Sequence, residues 1–211
     1  MQNALLQFND NIERVKSLGG LHESLTALTV PVLDTSDILR SELVLAVSAL
    51  DSYIHQIVEK GMVEVYENKR PKTKSFLKFH LSVECVIDAL PNLIFSTPTS
   101  STTSQTAWFS NEVHSSLSYK AFQHPDNIAE ALRLICEKKV WDEVASCMGK
   151  EAKDLRNQLM VIVDRRNKIA HEADLNPAFP KSRWMITAQM VNEAVQFLEE
   201  IVYCIQYIVT N

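Results

Sequence analysis

The sequence predicts an all-α fold, and three observations carry that prediction. Only four glycines occur in 211 residues, fewer than the turns of a sheet-rich fold of this size call for. Apolar residues recur at intervals of three and four over long stretches, the rhythm of an amphipathic helix. Proline, glycine and Ser/Thr clusters separate those stretches, dividing the chain into roughly six to eight helices packed as a bundle. The length suits one domain with a substantial core, assigned to residues 1–211. No internal repeat is visible.

Each element follows from its own pattern. Leu5, Leu6, Phe8, Ile12, Val15 and Leu18 predict a helix over 2–18, which Gly19 and Gly20 are expected to end. A long helix opens on Asp34, Thr35, Ser36 and Asp37, whose side chains accept hydrogen bonds from the free N–H groups of a first turn. It continues through Leu39, Leu43, Val44, Val47, Leu50, Ile54, Ile57 and Val58, with Ser48, Asp51 and His55 near one side. Gly61 either interrupts this helix or lies within it. A basic turn, Lys69–Lys74, precedes a helical stretch over 73–89 that Pro91 closes. Residues 96–106 are almost entirely Ser and Thr, side chains that compete with helix hydrogen bonds, and read as a loop. Helices follow near 110–119, 127–137, 139–147 and 151–171. After Pro177 and Pro180, a last helix runs from Thr187 to Val209 on Met190, Val191, Ala194, Val195, Leu198, Ile201, Val202, Ile205 and Ile208.

Composition excludes several function classes. An apolar share of 46% argues against wholesale disorder. A formal net charge of −5 excludes a protein that coats nucleic acid by bulk positive charge, so any RNA contact must be local. Cys85, Cys136, Cys147 and Cys204 show no C-x-x-C spacing, which speaks against zinc. Their scatter gives no disulfide framework, and reduced buried thiols in a cytoplasmic protein are expected. The first residues carry acids and amides, unlike a signal peptide. No apolar run approaches the ~18–20 residues that span a bilayer, so no membrane partner is expected. Neither a P-loop nor a G-x-G-x-x-G motif is present. Trp108, Trp141 and Trp184 are too scattered to read as a base-stacking array, and core or interface packing is expected of them.

The chemistry concentrates in residues 153–174. Leu155, Leu159, Ile162, Arg166 and Ile169 alternate four and three apart and so form one stripe of a helix. A guanidinium on an aliphatic stripe is costly unless it is paired. Either Arg166 pairs with a carboxylate from another helix, with Asp51 a candidate, or it faces a cleft or subunit interface and meets a phosphate. Asn167 and His171 lie four apart on one face, with Arg165 and Lys168 beside them. Arg166 and His171, five apart, project about 140° from each other with about 7.5 Å of rise. They converge on one ligand if the helix loosens near His171, or if a two-fold mate brings second copies to the same cleft.

The decapeptide RRNKIAHEAD resembles the HEPN signature, an arginine followed by a polar residue and then a histidine after four to six intervening residues. Here these are Arg166, Asn167 and His171. The segments FNDNIERV, DILRSELVLAVSALDSYIHQIV, YKAFQHPDNIAEAL and DRRNKIAHEADLNP extend the resemblance to the RiboL-PSP-HEPN branch over most of the chain. The resemblance implies an antiparallel helical bundle with additional helices that pairs two-fold. It also implies a metal-independent endoribonuclease with no cofactor, acting on tRNA or mRNA as a toxin or anti-phage effector alongside an antitoxin or defence partner. The alternative it leaves open is a non-catalytic module that binds RNA, nucleotide or a partner protein.

RNA carries its own nucleophile, the 2′-hydroxyl. An imidazole titrating near neutrality suits removal of its proton or donation to the leaving 5′-oxygen, and an arginine fork suits two phosphate oxygens. Arg166, His171 and Asn167 are therefore the expected catalytic residues. Arg165 and Lys168 are expected to bind substrate, with Ser48 and Asp51 as supports behind Arg166. The second arginine leaves the choice between Arg165 and Arg166 to the five-residue step. No Asp/Glu cluster stands near, which disfavours a two-metal mechanism.

Overall fold

The computed structural model describes residues 1–28, 33–87 and 102–211. Its helices are α1 (Gln2–Leu28), α2 (Ser36–Tyr66), α3 (Thr102–Leu117), α4 (Pro125–Leu132), α5 (Val140–Met148), α6 (Ala152–Glu172) and α7 (Ala188–Thr210), with a 3-10 turn at Phe76–Lys78. Between α6 and α7 lies a small antiparallel hairpin, β1 (Leu175–Asn176) and β2 (Phe179–Arg183). The long helix of the sequence reading is the hub. α2 packs against α1, α3, α4, α6 and α7, and its buried positions lie on most of its circumference. One cluster of buried side chains, among them Phe8, Ile12, Leu50, Ile54, Leu155, Leu159, Leu198 and Ile201, runs through these helices. Among the described residues the fold is all-α apart from the hairpin.

Several expectations need correction. Gly19 and Gly20 do not end α1, which continues to Leu28. A Cβ on Gly19 would lie 3.1 Å from Glu42 Oε1, so this glycine serves the close approach of α2. Gly61 lies inside α2, where a Cβ would fall 2.7 Å from Ile135 Cγ2. The stretch read as a helix over 73–89 holds the short 3-10 turn, a link, and helical residues 83–87. Residues 88–101, including Pro91, lie outside the described residues, as does most of the Ser/Thr tract read as a loop. α3 begins within that tract, at Thr102. The hairpin was not expected; its two strands are too short for period-two alternation to register.

The thiols are also corrected. Cys147 on α5 and Cys204 on α7 form a disulfide with a Cα–Cα distance of 6.0 Å, across 57 residues of sequence. Only the packing of α5 on α7 brings them together, which spacing along the chain does not reveal. Cys85 and Cys136 lie outside this bridge. Trp141 is buried, and its indole N–H donates to the Pro125 carbonyl. Trp108 packs on Tyr66 and Phe109. Among the described residues no helix is long and apolar enough to cross a membrane.

Candidate functional site

The site residues sit in the second half of α6. Leu155 and Leu159 are fully buried and Ile162 nearly so, whereas Arg166 and Ile169 are half-buried. The aliphatic stripe thus leaves the core where the arginine begins. α6 stays helical through His171 and Glu172, so Arg166 and His171 keep the angular separation of a regular helix. Of the two routes to convergence, loosening of the helix near His171 is not the one this chain uses.

Past His171 the backbone turns sharply. Ala173 and Asp174 have φ of 52° and 57°, consecutive left-handed residues without a glycine. Such a conformation costs side-chain-bearing residues energy and persists only when surrounding contacts hold it. Here the Ala173 and Asp174 N–H groups both reach the Lys168 carbonyl. The Trp184 N–H donates back to the Asp174 carbonyl at 3.0 Å, tying the end of the hairpin to the end of α6.

The Asp174 carboxylate anchors this corner. It is fully buried, and its Oδ2 accepts from Arg40 Nε at 2.7 Å and Arg165 Nη2 at 2.8 Å. Both guanidinium groups also donate to the Trp184 carbonyl, at 2.9 and 3.1 Å. Burial lowers the pKa of Arg165 from the ordinary arginine value, and Asp174 opposes that shift. One carboxylate shared by a buried Arg40 and a half-buried Arg165 is a packing device that joins α2, α6 and the hairpin.

Arg165, expected to bind substrate, thus spends its guanidinium on Asp174, Trp184 and Met185. Arg166 meets no carboxylate among the described residues. Its Nη1 donates to Asn167 Oδ1 at 3.1 Å, and its buried Nε has no partner. His171 is exposed. The Lys168 ammonium lies 5.6 Å from the centre of the Trp184 ring, within cation–π range. A shallow cleft of about 480 Å³, lined by Arg40, Val44, Leu45, Ile169, Ala173 and Arg183 among others, opens beside the last turn of α6.

The expected supports are elsewhere. The Asp51 carboxylate accepts the Phe122 N–H and lies 4.0 Å from His55. The Ser48 hydroxyl donates to the Val44 carbonyl. Neither contact reaches Arg166, because both residues sit farther along α2 than Arg40, its contact with the hairpin corner. Arg40 escaped the sequence reading, as did the role of Asp174 in pairing with it and with Arg165. The signal for Arg40 was present: it shares the buried side of α2 with Leu39 and Leu43, and a charge there invites the same question as Arg166.

The RiboL-PSP-HEPN family model matches residues 9–211. The chain belongs to the RiboL-PSP-HEPN family. No match was found among curated proteins or among solved structures. For a HEPN chain the coarse functional class is an RNase or a nucleotide-binding module. The Arg-Asn-x3-His run of that signature, Arg166 to His171, coincides with the half of α6 that leaves the core.

Proposed function

We propose that this HEPN protein is a metal-independent endoribonuclease acting as a toxin or anti-phage effector. The observation that carries the reading is the division of labour between adjacent arginines. Arg165 is neutralised inside the fold by Asp174, whereas among the described residues the Arg166 guanidinium meets an amide and no carboxylate, on the same stretch of α6 as the exposed His171. A half-buried cation left without an anion is poised to accept one from outside, and a phosphodiester supplies it.

In this reading Arg166 binds two oxygens of the scissile phosphate and stabilises the charge that builds on the phosphorane. His171 takes the 2′-hydroxyl proton or supplies one to the leaving 5′-oxygen. Asn167 orients the Arg166 fork, and Lys168 adds charge at the edge. The products are a 2′,3′-cyclic phosphate and a 5′-hydroxyl. Because α6 is continuous, one chain holds Arg166 and His171 on different sides. A two-fold homodimer that supplies a second His171 completes the acid and base pair.

The test is purified protein incubated with total tRNA and mRNA, with end-group analysis of the fragments. His171→Ala is expected to lower the cleavage rate by about 10²- to 10⁴-fold without altering the melting temperature. Cleavage that persists at full rate in His171→Ala would remove the catalytic assignment. Binding of RNA or nucleotide with no cutting by any preparation would leave the non-catalytic module in its place.

A further inference from the structure

Away from α6, a second cleft of about 400 Å³ opens between the 3-10 turn, the end of α3 and the end of α4. Its walls carry Lys78, Lys120 and Arg133, the rings of Phe79 and Tyr119, and one carboxylate, Glu130. In a chain of net charge −5, three permanent cations around one opening are a local reversal of sign. Glu130 lies 3.6 Å from the Lys120 ammonium. Among the described residues neither Lys78 nor Arg133 has a carboxylate within ion-pair distance. Tyr119 is 79% exposed, an aromatic ring turned to solvent beside those cations.

The loop that presents Tyr119 and Lys120 is held rigidly from below. His55 Nε2 donates to the Lys120 carbonyl at 3.0 Å. Asn127 Nδ2 donates to the Ala121 carbonyl at 2.9 Å, and the Phe122 N–H donates to Asp51. The Phe122 ring is buried, 4.5 Å from the His55 ring between centres. Asp51 and His55, polar residues of α2 that the α6 site does not use, therefore brace this loop. A braced loop loses little conformational freedom when a ligand docks, which favours binding.

We infer that this cleft binds a nucleotide unit of single-stranded RNA, the base stacking on Tyr119 and Phe79 and the phosphates on Lys78, Lys120 and Arg133. An aromatic platform beside a cationic groove is how proteins hold single strands without reading their sequence. The choice of RNA rests on the function proposed above; the pairing of cations with aromatic rings does not. The cleft is separate from the α6 site. α4 meets α6 through the Arg156–Asp126 ion pair, ten residues before Arg166, or about 15 Å of helix rise. The cleft would hold a strand whose cleaved bond lies elsewhere.

The experiment is fluorescence anisotropy of a labelled twelve-nucleotide oligouridine titrated with full-length protein carrying His171→Ala, which prevents cutting. Tyr119→Ala is expected to weaken binding about tenfold, while Tyr119→Phe retains the parent affinity. Lys78→Glu with Arg133→Glu is expected to weaken it at least tenfold and to flatten its salt dependence. All these positions are exposed, so melting temperatures should match the parent. Affinities within twofold of the parent for both Tyr119→Ala and the charge reversal would overturn the assignment. So would loss on charge reversal with none on Tyr119→Ala, which marks mere ionic attraction, or equal competition by polyglutamate, which marks an acidic peptide. Tyr119-dependent binding by a protein that never cuts RNA would sink the nuclease and leave the cleft standing. Cleavage by wild type, with binding indifferent to Tyr119 and the cations, would do the reverse.

Discussion

Arg165 and Arg166 follow one another on α6, yet among the described residues only the first meets a carboxylate. Substituting Arg165 removes a donor from a fully buried anion, whereas substituting Arg166 removes a side chain whose partner among the described residues is an amide. Arg165→Ala is therefore expected to cost ~2–3 kcal/mol of stability, and Arg166→Ala less than ~1 kcal/mol. Cleavage should fail in Arg166→Ala while the protein stays folded; thermal melts beside RNA assays check both. Asp174→Asn leaves the Arg165 guanidinium without a counterion and Arg40 with Asp37 alone, and a loss of ~3 kcal/mol is expected from denaturant titration.

Glu42 supplies a pH prediction at the same scale. Burial, reinforced by Glu23, raises its pKa from the ordinary 4.5 to about 6. A carboxyl whose folded pKa exceeds its unfolded one penalises the fold when ionised. That penalty is fully present above pH 6 and disappears as pH falls through 4.5. Glu42→Gln is expected to raise the melting temperature at pH 7.5 and to lose that advantage near pH 4.5. An equal gain at both pH values would contradict it.

At the scale of elements, the hub helix explains why two glycines survive inside helices that would otherwise exclude them. Gly61 faces Ile135, which is buried and β-branched. Gly61→Ala should gain roughly 1 kcal/mol of helix propensity but lose more to the clash, about 1–3 kcal/mol. Net destabilisation is expected, and part of it is relieved when Ile135→Ala, which removes the clashing Cγ2 and Cδ1, is added; a double-mutant cycle reads the coupling. Helices α2, α6 and α7 were legible from periodicity because each buries a continuous stripe. The extension of α1 was not, since a glycine pair reads as a stop unless the neighbour that needs the space is known. The hairpin was illegible because its ladder is so short, Leu175 with Arg183 and Asn176 with Phe179. Besides its own pairing, it is tied to the rest of the fold by Asp174, Trp184 and the Arg183–Asp37 contact.

For the whole molecule, the Cys147–Cys204 bridge joins α5 to α7. Maleimide labelling of denatured, unreduced protein is expected to mark two thiols, Cys85 and Cys136, and four after reduction. Loss of the bridge by Cys147→Ser should lower stability by about 2–4 kcal/mol, and four labelled thiols before reduction would rule the bridge out in solution. The candidate site was legible in part. The spacing of Arg166, Asn167 and His171 stood in the sequence, as did the oddity of a charge on the α6 stripe.

The sequence by itself determined that the chain is helical, where most helices lie, and which short run holds the guanidinium, amide and imidazole. Those properties are local: a helix repeats every few residues, and a motif is read within one turn or two. Only the tertiary structure decided that Arg165 is committed and Arg166 open, that Asp51 braces a distant loop, and that two cysteines meet. Arg40 reaches Asp174 across 134 residues of chain, and nothing in the pattern around either residue encodes its partner. Such pairings depend on how whole helices pack, because the free energy of a buried charge is set by what surrounds it in space, whatever its neighbours in sequence.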